Sequence, residues 1–175
     1  RKESSAASDV YKRQIILTSF ALLIVASVQA EEVKKVLKNK DWETYVIKNE
    51  TSKICFAQSL PILQAPKSNV REARLFVTFR PNEKISDEIS ITSGYEYNKK
   101  NSVMARSGKY KYKFDISQEN FAWIADNKKK KKMIKTMKRG SRIMVTGYNQ
   151  KGSQTIDHYS PVSYTHLTLP TTPYV

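Results

Sequence analysis

The stretch KYKYKFDI, residues 109–116, constrains the fold of this chain more than any other feature. Tyr110, Tyr112, Phe114 and Ile116 alternate with three lysines and one aspartate. Because successive side chains of a strand point to opposite sides, a period of two predicts a half-buried β-strand. One face of this strand is therefore expected to cover a core, while the other face is wet and basic.

Shorter segments of the same kind recur along residues 31–160 and are separated by turn residues. Residues 42–48 are rich in β-branched and aromatic residues, residues 54–60 follow as a second strand, and residues 74–80 alternate up to Pro81. Residues 88–97 and 141–149 are also predicted as strands, and so are residues 154–160. Residues 61–70 are predicted as a loop, and residues 31–40 as a charged lead-in. For residues 120–126, strand and helix both remain open.

One short helix is predicted after residue 127. Met133, Ile134 and Met137 recur at helical spacing, basic residues crowd the last turn, and Gly140 suits the position just past a helix. With eight or nine short strands and this helix, the chain is predicted to be an all-β, single-domain antiparallel β-sandwich or barrel.

An uncharged run at residues 15–30 precedes this domain. At about 1.5 Å per residue it reaches roughly 24 Å, which is short for a spanning helix of ~20 residues. A basic patch comes before the run and the small residue Ala30 ends it, so a secretory signal peptide cleaved after Ala30 is predicted. An uncleaved anchor is the alternative. Either way, the domain is expected to be periplasmic or secreted.

Both ends of the chain resemble translated sequencing-adapter sequence. Residues 1–14 and 161–175 are therefore set apart as foreign, and the native termini are expected to be missing. Between them, residues 31–160 form the predicted all-β domain.

The charge of the chain is strongly positive, with 31 Lys and Arg against 16 Asp and Glu. Such an excess favours an anionic lipid surface or an acidic polymer as partner, and export makes nucleic acid the least favoured of the polyanions. The densest charge, which we call the lysine cluster, supplies the candidate contacts to a polyanion: Lys128, Lys129, Lys130, Lys131, Lys132, Lys135, Lys138 and Arg139. A solvated loop and helix face is the other interpretation of this run, and the sequence alone favours it.

Reactive chemistry finds little support in the sequence. The single cysteine, Cys55, is a candidate disulfide half or a buried reduced thiol. A dyad of Cys55 with His158 is conceivable but not favoured, and the adjacent carboxylates Asp87 and Glu88 are predicted to point apart. No zinc-ligand spacing or phosphate-binding loop occurs. We therefore predict no catalytic, cofactor-binding or metal site, and no enzyme.

The stretch DWETYVIK leads to KICFAQS near the start, and MIKTMKRGSRIMVTGYNQKGSQTIDHYS closes the domain. The order of these motifs resembles the invasion-associated locus B family of exported alphaproteobacterial proteins. The positions that look like the family's closing motif are Gly140, residues 143–146, Gly152, Thr155, Asp157, Tyr159 and Ser160. Two departures stand out: Tyr45 and Val46 occupy the place where members often carry a cysteine, and the adapter-like tail replaces the continuation after Ser160.

The resemblance implies an exported all-β protein, associated in some pathogens with host-cell entry and without known catalytic residues. We therefore expect a periplasmic, non-enzymatic protein that interacts with envelope or partner macromolecules. The alternative is a basic polyanion-binding module of oligonucleotide/oligosaccharide-binding barrel type.

Overall fold

The computed structural model describes residues 32–48, 52–140 and 142–161. The predicted signal peptide, the adapter-like residues 1–14 and the tail beyond Pro161 lie outside this part of the chain. Within it, the predicted all-β fold is confirmed, with two antiparallel sheets and one α-helix. The described strands remain in two separate sheets, so the sandwich is the correct one of the two predicted architectures.

The larger sheet has seven strands and the smaller sheet has five. In spatial order the large sheet contains β1 (Glu32–Asn39), β2 (Trp42–Lys48), β3 (Lys53–Ser59), β5 (Arg74–Arg80), β6 (Ile85–Thr92), β10 (Phe121–Trp123) and β9 (Ile116–Gln118). The small sheet contains β4 (Leu63–Ala65), β12 (Gln154–Tyr159), β11 (Ile143–Tyr148), β7 (Val103–Ser107) and β8 (Tyr110–Phe114). A 3₁₀ turn, Pro81–Glu83, joins β5 to β6, and helix α1 spans Asn127–Lys138.

The core is built from the inward positions of both sheets, which alternate with outward ones as the sequence predicts. Leu75, Val77 and Ile91 of the large sheet are fully buried, as are Ala105 and Val145 of the small sheet. Trp42 is also fully buried, and its Nε1 donates a hydrogen bond to the Ser160 carbonyl at 2.8 Å. This bond attaches the start of β2 to the end of β12.

The stretch that dominated the sequence pattern is divided between the two sheets. Tyr112 and Phe114 of β8 face the interior, and Tyr110 is half-buried on the same side, as predicted. Ile116, however, begins β9 in the large sheet, pairs with Trp123 and is 51% exposed. Its predicted place in the buried face is wrong because the chain crosses between the sheets around Asp115, and the alternation alone does not reveal that crossing.

Four strands were missed. β1 lies in the predicted charged lead-in, β4 in the predicted loop, and β7 in a segment that shows little alternation. β9 overlaps the predicted strand 109–116 only at Ile116 and was missed as a separate element. β1 is an edge strand whose side chains, including Val33, Val36 and Leu37, are largely exposed. Within residues 120–126, for which strand and helix were both open, Phe121–Trp123 form the short strand β10, and Ala122 faces inward.

Helix α1 has the predicted core-facing residues and end. Asp126 is its N-cap, and one carboxylate oxygen accepts hydrogen bonds from the backbone N–H groups of Lys128 and Lys129 at 2.7 and 3.0 Å. Met133, Ile134 and Met137 are buried in the core. Gly140 follows with a φ of +75°, the left-handed conformation that a residue after a helix C-terminus often adopts.

Candidate functional site

The lysine cluster lies on the solvent side of helix α1. Since the methionines and Ile134 hold the opposite side against the core, the cationic side chains point outward. Every member is exposed except Lys130, which is half-buried. The structure therefore presents the predicted contact residues together on one accessible surface.

The position of the first five of these lysines, residues 128–132, does not help the helix. The first turn contains no acidic residue and begins a run of five consecutive lysines. The N-terminus of a helix carries a partial positive charge, so cations there are unfavourable, and like charges spaced four residues apart repel each other. A local rule broken in this way is expected at functional positions, because helix stability alone does not account for it.

Cations of the small sheet extend this charge. Arg106, Lys111 and Lys113 lie on the outer face of β7 and β8 and are exposed. The Lys132 and Lys109 ammonium groups lie 4.8 and 5.7 Å from the centroid of the same Tyr110 ring, so helix and strand meet at that ring. We call the lysine cluster together with Arg106, Lys109, Lys111 and Lys113 the cationic surface.

Little negative charge compensates this surface. Residues 106–139 contain twelve basic and three acidic residues, a net charge of +9 out of +15 for the whole chain. Among the described residues, Lys129 with Asp115 is the only ion pair of the cationic surface within 4 Å, at 3.5 Å. The charge is therefore open to an external anion.

A polar depression of about 550 Å³ lies apart from this surface. Lys99, Lys100 and Lys151 line it together with Glu96 and several amide side chains. The Asn98 side-chain oxygen Oδ1 accepts hydrogen bonds from the backbone N–H groups of Lys100 and Asn101, and the Gln150 side-chain amide donates to the Tyr97 backbone carbonyl. These amides hold the two loops in place, so we do not assign the depression a ligand.

A buried ion pair explains part of the closing motif. Asp157 of β12 accepts two hydrogen bonds from the Arg71 guanidinium, at 2.6 and 3.1 Å, and the two side chains are 1% and 4% exposed. Arg71 also donates to the Ser93 carbonyl at 2.9 Å. Burial raises the pKa of the Asp157 carboxyl, and the guanidinium acts in the opposite direction. Arg71 precedes the large-sheet strand β5 and Asp157 belongs to the small sheet, so the pair joins the two.

Other motif positions pack around this pair. The Tyr95 hydroxyl lies 2.6 Å from the Thr155 hydroxyl, and the Arg71 guanidinium lies 5.7 Å from the centroid of the Tyr95 ring. Tyr159 is fully buried, and burial raises its pKa well above the ordinary value. Thr155, Asp157 and Tyr159 therefore occupy the inward positions of β12 and have a packing role, which sequence patterns alone did not indicate.

The conceivable cysteine and histidine dyad is not assembled. Cys55 faces the interior from the large sheet, beside Val46 and Phe79 in the strand register, and burial raises the pKa of its thiol. His158 alternates with the inward Asp157 and Tyr159, so it lies on the outer face of the small sheet. That Cys55 forms one half of a disulfide stays a prediction.

The adjacent carboxylates Asp87 and Glu88 form no acid–base pair in the structure. The Glu88 carboxylate pairs with Arg80 at 2.6 Å, and Asp87 has a left-handed backbone with a φ of +55°. In the described part of the chain, no group of three or more His, Cys, Asp or Glu residues could hold a metal ion. Nor is any helix there long and apolar enough to cross a membrane.

Sequence reasoning missed a row of aromatic side chains on the outer face of the large sheet. Its residues belong to β2, β3, β5 and β10, and the row passes over β6: Tyr45, Phe56, Phe76, Phe121 and Trp123. Neighbouring ring centroids are 5.1 to 6.2 Å apart, and the Tyr45 and Phe56 rings are nearly parallel, with 12° between their planes. Two of the four neighbouring ring pairs are stacked and two are tilted, which is typical of aromatic side chains that pack against one another on a sheet face.

No protein family, curated protein or solved structure was found to match this chain. The resemblance to the invasion-associated locus B family therefore stays a prediction.

Proposed function

We propose that this chain is an exported, non-enzymatic binding protein that contacts an anionic macromolecule of the cell envelope through the cationic surface. The observation that carries the proposal is the net charge of +9 in residues 106–139, placed on exposed side chains of α1, β7 and β8. The lysine run also lies at the helix end where cations are least favourable, which argues for a role outside folding.

The export part of the proposal depends on two sequence features. Residues 15–30 have the pattern of a signal peptide, and the motif order resembles invasion-associated locus B proteins. An envelope location would expose the protein to anionic lipids and acidic polymers. The proposal therefore keeps the locus B type of function and assigns its contacts to a defined surface.

The expected affinity follows from the number of lysines. Near an anionic membrane each cation contributes about 1 kcal/mol, so a surface of this size supplies several kcal/mol without any shape-specific contact. Binding of this kind weakens as salt shortens the Debye length, from about 30 Å at 0.01 M to about 3 Å at 1 M.

The test measures binding of the purified chain to phosphatidylglycerol vesicles and to soluble polyglutamate across that salt range. In one variant, residues 128–132 are changed to glutamine. A control variant makes the same charge change at five exposed lysines elsewhere: Lys34, Lys40, Lys48, Lys67 and Lys84. We expect the first variant to lose at least about a hundredfold in affinity and the control to lose much less.

Two results would contradict the proposal. Equal losses in the two variants would mean that overall charge, and not this surface, attracts the polyanion. Binding to envelope fractions that is unchanged by salt and by the lysine substitutions would instead indicate a specific protein interface elsewhere on the molecule.

A further inference from the structure

We propose that the outer face of the small sheet contains a binding site for an anionic amphiphile, an acyl chain that carries an acidic head group. This inference rests on the proposed function and narrows it from polyanions in general to a lipid-like ligand. The site is a groove at the edge of the cationic surface, with which it shares Arg106 and Lys111. It is formed by the outward side chains of β7, β8 and β11.

The floor of the groove is apolar. Met104, Met144 and Tyr148 line a depression of about 450 Å³ and are each half-buried, although they lie on the outward side of their strands. This volume is within the range of about 300–1,000 Å³ that small-molecule sites occupy. Methionine side chains are flexible and polarizable, and they adapt to ligands without a fixed shape. Such a floor suits a hydrocarbon chain.

The polarity of the face changes in one direction across the sheet. Strand register places Met144, Arg106 and Lys111 side by side in one row. It places Thr146, Met104 and Lys113 in the next row. Both rows therefore pass from uncharged residues on β11 to cations on β8. A ligand aligned with these rows has its apolar chain over β11 and its head group at the β8 edge.

Charge complementarity determines the head group. Arg106 and Lys111 line the groove, and no carboxylate is among the residues that line it. The other lining residues are polar and uncharged or contribute backbone: Asn101, Ser102, Ala105 and Thr146. A soluble acidic polymer would satisfy the cations but leave the methionine floor in contact with water. An anionic amphiphile satisfies both parts of the groove.

A series of fatty acids of increasing length tests the site. Octanoate, decanoate and dodecanoate are titrated into the full chain below their micelle concentrations, with calorimetry as the readout. Because burying a methylene contributes about 0.8 kcal/mol at most, we expect affinity to rise about two- to fourfold per methylene. Dodecanol, which has the same chain without the charge, should bind about tenfold or more weakly than dodecanoate.

Two sets of variants test the apolar floor of the groove and its two cations separately. Changing Met104 and Met144 together to glutamine should flatten the dependence on chain length, whereas changing both to leucine should preserve it. Changing Arg106 and Lys111 to glutamine should weaken every fatty acid by about thirtyfold and leave that dependence unchanged. Thermal unfolding of each variant verifies that it is folded.

The outcomes distinguish this inference from the proposed function. If the fatty acids do not bind, or if the glutamine variant of the floor keeps the full chain-length dependence, the amphiphile site is wrong. Polyglutamate binding that still depends on residues 128–132 would then leave the polyanion proposal intact. If polyglutamate and anionic vesicles also fail to bind, both proposals fall.

Discussion

Charged residues follow opposite rules in two regions of this molecule. Between the sheets, the Arg71 and Asp157 side chains are almost fully buried and joined by two hydrogen bonds. On the cationic surface, five consecutive lysines begin the helix, and among the described residues only Lys129 has a carboxylate within 4 Å. The first arrangement completes its charge pairing inside the fold, whereas the second leaves most of its charge exposed to solvent.

The two regions differ in whether their charges affect the stability of the fold or the binding of other molecules. A buried charge without its partner is strongly destabilising, so Arg71 and Asp157 depend on each other. Exposed lysines are screened by water and salt, and their mutual repulsion opposes folding slightly. Substitutions in the first region should therefore alter stability, and substitutions in the second should alter binding.

The largest expected effect is that of Asp157→Asn. The substitution leaves the Arg71 guanidinium buried without a counter-charge, and we expect a loss of about 3–5 kcal/mol in the free energy of unfolding. Urea denaturation measures this loss. The matched control is Asp115→Asn, which removes the exposed partner of Lys129 and should change stability by less than about 1 kcal/mol. Similar losses in the two variants would break the comparison.

A smaller loss of stability is expected from Gly147→Ala, which lies next to the residues that pack around the buried Arg71 and Asp157 pair. A Cβ at this position would lie 2.7 Å from the Tyr95 hydroxyl oxygen and 2.9 Å from a Tyr97 ring carbon. Because Tyr97 is buried and a hydrogen bond joins the Tyr95 hydroxyl to Thr155, we expect destabilisation by about 1–3 kcal/mol. Thr146→Ala, on the outward side of the same strand, is the control. A Gly147→Ala protein as stable as this control would show that Tyr95 and Tyr97 are loosely packed around position 147.

Neutralising the lysines of the cationic surface should not destabilise the protein, in contrast to the two substitutions above. With residues 128–132 changed to glutamine, we expect the free energy of unfolding to stay the same or rise by up to about 1 kcal/mol, because repulsion at the helix N-terminus is relieved. Thermal unfolding at low salt measures the change. A clear loss of stability would mean that the lysines support the fold, and the contrast between the two regions would disappear.

The smallest effect concerns the half-buried carboxylate of Glu43, which does have partners. Hydrogen bonds from Lys35 and Tyr45 lower the pKa of Glu43 from 4.5 to about 2. Because the folded-state pKa is the lower one, the stabilisation is fully present above pH 4.5 and is lost as the pH falls towards 2. Screening limits its size to a few tenths of a kcal/mol. Glu43→Gln should remove this part of the acid dependence in urea titrations, and an identical pH profile in both proteins would contradict it.

Local pattern was a good guide to elements and a poor guide to their assembly. The strand at β2, the inward residues of β8 and the core-facing side of α1 follow from periodicity and caps that lie within a few residues. β1 and β7 were missed because an edge strand and a short strand show little alternation. The lysine cluster could be recognised from the sequence as a run of basic residues. That Arg106 and Lys111 extend the same basic surface could be seen only in the structure, in which helix α1 and β8 meet at the Tyr110 ring.

By itself, the sequence determined the class of structure and the sign of its charge. An alternation of period two allows only extended strands with one apolar face, and an excess of lysine remains positive however the chain folds. Tertiary structure alone decided that Arg71 meets Asp157, 86 residues further along the chain, that Ile116 joins the other sheet, and that Met104 and Met144 lie beside Arg106. These contacts depend on strand pairing between distant segments, and the burial of the whole core selects that pairing, which no local window of sequence contains.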